Sequence, residues 1–333
     1  MFSTPSSPFG PGQPSRTSIV VAALRAFGAR EPDASVRNPD SLAARLLTAA
    51  DLQLISAHPI SQALTQDYRK ARQHAEVAGM SNLMLIRTRF VDDHMQRAID
   101  NGATQVVILG AGFDTRAYRF AGLLADKKIF EVDFQSTQEI KKRRLEQALG
   151  ALPGHVRFVE TDFRRDRLRD VLDRAGYQPA EKTFFIWEGV SMYLSEDAVR
   201  DTLTTIARYS AAGSALVMDF AGRAMIEMLQ KFPHIPQHNY TTHWGEPWIF
   251  GVPDTREREF FLECGLELRE TLTLFGGEAA KRYLTRADGT RIGRVRGGSP
   301  RRRALSTTVR ILWMFLTRRS KWYALAELRV PAP

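Results

Sequence analysis

From residue 105 onward, short apolar runs alternate with longer stretches whose apolar residues keep helical spacing. Val106, Val107, Ile108 and Leu109 form an unbroken apolar run, the pattern of a parallel strand covered on both faces. The alternation predicts strands at 105–110, 128–133, 155–160, 183–188 and 214–219. Helices are predicted at 115–125, 136–149, 166–175, 196–210 and 222–231. Five strands, each followed by a helix, require a parallel sheet with helices on both faces, because crossovers are right-handed. A helix at 254–264 and strands at 266–275 and 321–329 bring the expected sheet to about seven strands, ending in a hairpin-like pair split by an insertion. The fold class is α/β, a doubly wound Rossmann-like sheet, in which ligands bind beyond the C-terminal strand ends.

Ahead of the sheet, residues 17–28 predict a helix ending at Gly28, and 38–50 a second, capped by Asp40 or Ser41. A third spans 82–100, with Leu83, Ile86, Phe90, Val91, Met95 and Ala98 on its apolar stripe. Arg87 and Arg89 flank that stripe; either one meets a carboxylate, or both make surface pairs with Asp92 or Asp93. The expected organisation is a disordered tail 1–16, a helical cap 17–104, a binding core 105–232, a lid 233–253 and a C-terminal part 254–333 completing the sheet. Four prolines, three histidines and several aromatics in 233–253 break the alternation, which suggests a substrate wall.

Composition changes this picture in two places. The single cysteine, Cys264, excludes an internal disulfide and a cysteine metal cluster, so a reducing cytoplasm is expected and no metal. The formal charge of +10 is concentrated: residues 281–321 carry thirteen Lys or Arg against one acid, Asp288. The insertion 281–320 is read first as a solvated segment, since no groove-reading motif accompanies it and no nucleic-acid partner is expected. A non-catalytic protein binding anionic surfaces through 281–321 is the reading that this segment keeps open. No apolar stretch approaches the ~20 residues of a membrane span.

The chemistry sits where strands stop. Gly110 and Gly112 follow the 105–110 strand, allowing a tight turn and a ligand where a Cβ would block it. Asp114 or Thr115 is placed to cap the helix beyond. Thr115 takes the third position of Gly-x-Gly-x-x-Gly, which argues against a pyrophosphate cradle. Asp133, about twenty residues on, suits the two hydroxyls of a ribose, with Glu131 on the same side of the strand as its alternative. Asp162 suits an exocyclic amine and Phe163 a purine ring. Glu188 suits an ammonium group, and the Tyr193 phenol can orient an acceptor oxygen. An arginine and three acids so arranged match a ligand with a carboxylate, a ribose, an adenine and an ammonium. S-adenosyl-L-methionine has all four and no pyrophosphate; a nicotinamide-dependent oxidoreductase is the rival on a similar sheet.

The segments Ile-Arg-Thr-Arg-Phe-Val-Asp-Asp (86–93), Leu-Gly-Ala-Gly-Phe-Asp-Thr-Arg (109–116), Phe-Glu-Val-Asp-Phe (130–134), Thr-Asp-Phe-Arg (161–164) and Trp-Glu-Gly-Val-Ser-Met-Tyr-Leu (187–194) together resemble the leucine carboxyl methyltransferase family. The resemblance runs over about residues 35–275 and is nearest to the bacterial branch, with its tetracenomycin-type polyketide methyltransferases. It implies a class I methyltransferase fold and methyl transfer from S-adenosyl-L-methionine to an oxygen. By matching position it implies Arg87 on the cofactor carboxylate, Gly110 under the methionyl part, Asp133 on the ribose, Asp162 and Phe163 on the adenine, Glu188 on the amino group and Tyr193 beside the acceptor. Gln135 replaces the family's usual proline, and the basic insertion has no counterpart. A small-molecule acceptor is expected, its carboxylate or hydroxyl being methylated; a hydroxyl would need a base, for which His243 or His238 in the lid is the candidate. Acceptor identity and oligomeric state are open at this level.

Overall fold

The computed structural model describes residues 14–163, 165–231, 242, 244–292 and 322–332. Its strands are β1 (Gln105–Leu109), β2 (Lys128–Asp133), β3 (Val156–Glu160), β4 (Thr183–Trp187), β5 (Ala215–Ala221), β6 (Glu267–Thr273) and β7 (Tyr323–Arg329). They form one seven-stranded sheet in the order β3-β2-β1-β4-β5-β7-β6. Strands β1 to β5 pair in parallel, as their intervening helices require, while β7 lies antiparallel between β5 and β6. The strand order reverses direction at β1, which has β2 on one side and β4 on the other, so the C-terminal ends of these three strands open onto a shared crevice.

Period-two alternation divides the core between the faces. Val106, Ile108, Ile129, Phe184, Ile186 and Val217 are buried on one side, against the N-terminal helices. Val107, Leu109, Phe130, Val132, Phe185 and Trp187 are buried on the other. Helix α1 (Arg16–Gly28) and helix α2 (Ala75–Asp100) pack together on the first face. Among the described residues no helix is long and apolar enough to cross a membrane.

Three helical expectations change. The segment 38–50 is not one helix: a 3-10 turn, Leu42–Leu46, ends at an extended Leu47, and a separate helix, Ala49–Leu54, starts at Thr48. The cause is local, since Thr48 and Asp51 form a reciprocal capping box that starts a new helix there. Helix α2 begins at Ala75 instead of 82, because Val77, Ala78 and Ser81 extend its buried stripe. Residues 115–125 split at Phe120 into Arg116–Arg119 and Ala121–Leu124. Most of the basic insertion lies outside the described residues.

Candidate active site

The β1 turn is built around two left-handed glycines, Gly110 at φ 67° and Gly112 at φ 41°. A Cβ on Gly110 would stand 2.3 Å from Cγ2 of Val190, so the close approach of the two loops, as well as the backbone angle, requires glycine. The Gly110 and Ala111 N–H groups both donate to the Val132 carbonyl, which ties the turn to β2. The helix beyond is only four residues long and supplies no strong anion site at its N-terminus. Asp114 accepts instead from the Arg116 N–H at 2.7 Å, and the Thr115 hydroxyl donates to Asp40 at 2.6 Å.

A cavity of about 280 Å³ opens over this turn. Its lining unites Arg87, Gly110, Gly112, Asp133, Phe163, Glu188 and Tyr193, brought from five separate stretches of chain. Asp133 is 7% exposed; its carboxylate accepts from the N–H groups of Gly112 and Phe134. Burial pushes its pKa up, and those two donors oppose the shift. Glu131 is fully buried, pairs with Lys141 at 2.7 Å and, unlike Asp133, does not line the cavity.

Asp162 departs from expectation. It does not line the cavity, although Phe163 beside it does. Its N–H donates to Asp166 at 2.8 Å and its carboxylate lies 3.9 Å from Arg165. His243 and His238 lie outside the described residues.

Arg87 and Arg89 part ways. Arg89 donates to the carbonyls of Ser35 and Arg37 at 2.6 and 2.9 Å, fastening α2 to the N-terminal loop. Arg87 is buried beneath the cavity, with Nε 2.8 Å from Glu188 Oε1 and Nη1 3.1 Å from both Asp219 Oδ2 and the Tyr323 hydroxyl. The pairs with Asp92 or Asp93 are not made by Arg87; Asp92 takes Arg116 and Arg119, and Asp93 accepts from the Tyr283 hydroxyl.

Glu188 lies between two guanidiniums, with Arg116 Nη1 2.9 Å from its other oxygen. Burial alone would raise its pKa, but Arg116 and Arg87 hold the carboxyl below its usual range. Asp219 is raised by burial, with Arg87 opposing. Its Oδ2 accepts from Tyr323 at 2.6 Å and its Oδ1 from the Gly189 N–H at 2.7 Å, so it braces Arg87 and the loop after β4 together. Pairing this dense is the condition for keeping charges buried.

Sequence reasoning missed Asp219, Tyr323, Arg116 and Glu246. Asp219 had a legible signal, an acid in the polar-end position of the fifth strand. Tyr323 and Arg116 had none, because their partners come from distant chain. Glu246 belongs to the expected lid; it lines the cavity and accepts from the Ser15 hydroxyl at 3.0 Å and the Arg16 N–H at 3.2 Å, holding the start of α1. Ile249 and Phe250 N–H groups both donate to the Met192 carbonyl, which fixes this segment beside Tyr193. Burial first, then the Glu246 carboxylate, pushes the Tyr193 phenol well above its usual pKa, so it stays protonated.

One polar cluster lies elsewhere. His94, Glu270 and Glu327 bring ligating atoms within 4.8 Å of one another. Arg97 donates to His94 Nε2 at 2.8 Å, however, and Arg282 and Arg329 hold the two carboxylates at 2.5 and 2.9 Å. These three guanidiniums already neutralise the acids a divalent ion would need.

A family model described as leucine carboxyl methyltransferase matches residues 18–207. A candidate S-adenosyl-L-methionine-dependent methyltransferase of Streptomyces coelicolor is 35% identical over 211 residues, 63% of this chain and 70% of its own. Another, of Bacillus subtilis, is 30% identical over 221 residues, 63% of this chain and 72% of its own. The structure of a candidate methyltransferase from Thermobifida fusca superposes with a TM-score of 0.54 over 96% of both chains at 14% identity, which supports the fold. Matched by the family model over more than half its length, this chain belongs to the leucine carboxyl methyltransferase family and is a methyltransferase that uses S-adenosyl-L-methionine.

Proposed function

We propose that the protein methylates an oxygen of a small-molecule acceptor with an extended apolar or aromatic surface. The observation that carries this reading is the single cavity joining Arg87 and Glu188 to Asp133 and Phe163, with Tyr193 also in its wall. S-adenosyl-L-methionine supplies an electrophilic sulfonium methyl group when bound there. The fit of this group rests on the glycine turn at 110 and 112 in the lining, on the buried Arg87–Glu188 pair and on Asp133.

In this reading Arg87 binds the amino-acid carboxylate and Glu188 the ammonium, so that the buried ion pair presents opposite charges to a zwitterion. Asp219 and Tyr323 hold Arg87 in that orientation. Asp133 accepts from the ribose hydroxyls while Gly112 and Phe134 fix its plane. Phe163 packs on the adenine. Tyr193 donates its phenolic proton toward the acceptor and excludes water from the transfer. Because the methyl group is already activated, orientation of the acceptor supplies much of the rate.

An apolar or aromatic acceptor is supported by Tyr193, Val190, Pro247 and Ile249 in the lining. Planar polyketide-type metabolites fit such a wall. Calorimetric titration with S-adenosylhomocysteine and NAD tests the cofactor reading: the former binds and the latter does not. Labelled methyl transfer to aromatic acceptors then tests the acceptor. Binding of NAD alone would refute the proposal.

A further inference from the structure

Two segments far apart in the chain meet in the cavity wall. The start of α1 contributes Ser15, Thr17 and Ser18, and the segment 245–249 contributes Gly245, Glu246, Pro247 and Ile249. Gly245, Pro247 and Ile249 are exposed as well as lining, so the cavity reaches solvent along this segment. Glu246 is 9% exposed; its carboxylate accepts from the Ser15 hydroxyl at 3.0 Å and from the Arg16 N–H at 3.2 Å. Ser15 is itself the cap of α1, so the contact ends at the start of a thirteen-residue helix, where negative charge is favoured. Burial raises the Glu246 pKa, and hydrogen bonds from Thr17, Ser15 and the Arg16 N–H oppose that shift by favouring the ionised carboxylate.

We infer that this contact is a latch: Glu246 fastens residues 245–247 to the first turn of α1 across the cavity mouth. S-adenosyl-L-methionine enters, and S-adenosylhomocysteine leaves, when the latch opens. The inference rests on the methyltransferase reading above and goes beyond it, to what controls exchange at that site.

Packing confines the movement to these two pieces. Ser15 to Ser18 are half-buried, whereas Ile19 and Val20 belong to the core. Further along α1, Arg25 is fixed by Asp40 at 2.9 Å and by the Phe113 carbonyl at 2.6 Å. On the other side, the Ile249 and Phe250 N–H groups are held by the Met192 carbonyl, and Phe250 is buried. Gly245 stands at φ 76° with nothing within 4 Å of where a Cβ would lie, so it can absorb a backbone rotation. The Glu246 contacts join protein to protein and do not involve the ligand. Losing them therefore shifts the opening equilibrium of the free and the loaded chain alike, raising the rates of entry and release together while affinity stays near its native value.

The test is rapid filtration of the full chain with methyl-labelled S-adenosyl-L-methionine, which gives association from uptake and release from a chase with unlabelled ligand. Glu246→Ala should raise both rates about tenfold, the effect of losing hydrogen bonds to a charged group, with Kd within about threefold of native. Glu246→Gln keeps an acceptor oxygen without the charge and should fall between native and Glu246→Ala. Ser15→Asp keeps a good helix cap but sets a second carboxylate against Glu246, and should speed exchange at least as much as Glu246→Ala. Combining Ser15→Asp with Glu246→Gln removes the repulsion and should bring both rates back toward those of Glu246→Gln alone. If Glu246→Ala does not fold, Glu246→Gln and Ser15→Asp decide alone. Unchanged rates in the folded variants overturn the latch. Faster release with unchanged association, and affinity falling in proportion, also overturns it and marks Glu246 as part of the binding wall. Failure of the native chain to take up S-adenosyl-L-methionine sinks the methyltransferase reading instead.

Discussion

Substitution of Gly110 by alanine probes the contact on which the cavity floor depends. Two costs are separable. The left-handed backbone at φ 67° costs a non-glycine residue about 1–2 kcal/mol. The added methyl would also stand 2.3 Å from Val190 Cγ2, a distance that forces the two loops apart and costs about 1–3 kcal/mol as overpacking. Gly110→Ala is therefore expected to lose about 2–5 kcal/mol in a urea titration. Val190→Ala alone should lose about 1–2 kcal/mol, since it removes two partly buried methyls. In the double variant the steric cost disappears and the backbone cost and the Val190→Ala loss remain, so the two changes should couple favourably by about 1–3 kcal/mol. Titration with S-adenosylhomocysteine should follow the same order, weakest for Gly110→Ala and partly restored in the pair. Simple additivity of the two substitutions would show that the loops do not meet as described, and would remove the physical reason for glycine at this position beyond its backbone angle.

Asp133→Ala should weaken S-adenosylhomocysteine binding by about 10–100-fold, the cost of one or two charged hydrogen bonds to a ribose; calorimetry measures it, and unchanged affinity removes the assignment. The native protein should lose affinity on acidification, because binding needs Asp133 ionised; with its pKa raised by burial, that loss begins at a pH above the usual 3.8. Tyr193→Phe should lower turnover more than cofactor affinity in steady-state kinetics, and an equal fall in both would indicate a packing role. Lys141→Met leaves Glu131 buried without its 2.7 Å partner and should cost about 3–5 kcal/mol in urea unfolding. Adding Glu131→Leu should recover most of that; a double variant as unstable as the single would contradict this account.

Much of the scaffold was legible because its determinants are local. Val106 to Leu109, Ile129 to Val132 and Phe184 to Trp187 read as buried strands from composition and length alone, and their alternation with helices left parallel pairing as the economical arrangement. The strand-end residues Gly110, Asp133 and Glu188 could be picked out for the same reason: once the strands are known, the position at which each stops is known. Local patterning misled where a second local signal competed, as at Thr48, whose capping box starts a new helix inside an apparently continuous one. Of the neighbours Asp162 and Phe163, both picked out from the loop after the third strand, Phe163 is the one in the lining.

By itself, the order of apolar and polar residues determined the strands, the glycine turn after the first of them and several of the residues around the cavity. What only the tertiary structure decided was the electrostatics of that space. Arg87 meets Asp219 and Tyr323 across 132 and 236 residues of chain, and Glu246 meets Ser15 across 231. Such pairings depend on strand order and on the seating of α1 over the cavity, and no periodicity in the chain encodes them. Charge placement in a buried site is a property of which elements become neighbours, so the site's partners, Glu246 among them, emerge only when the sheet has closed around them.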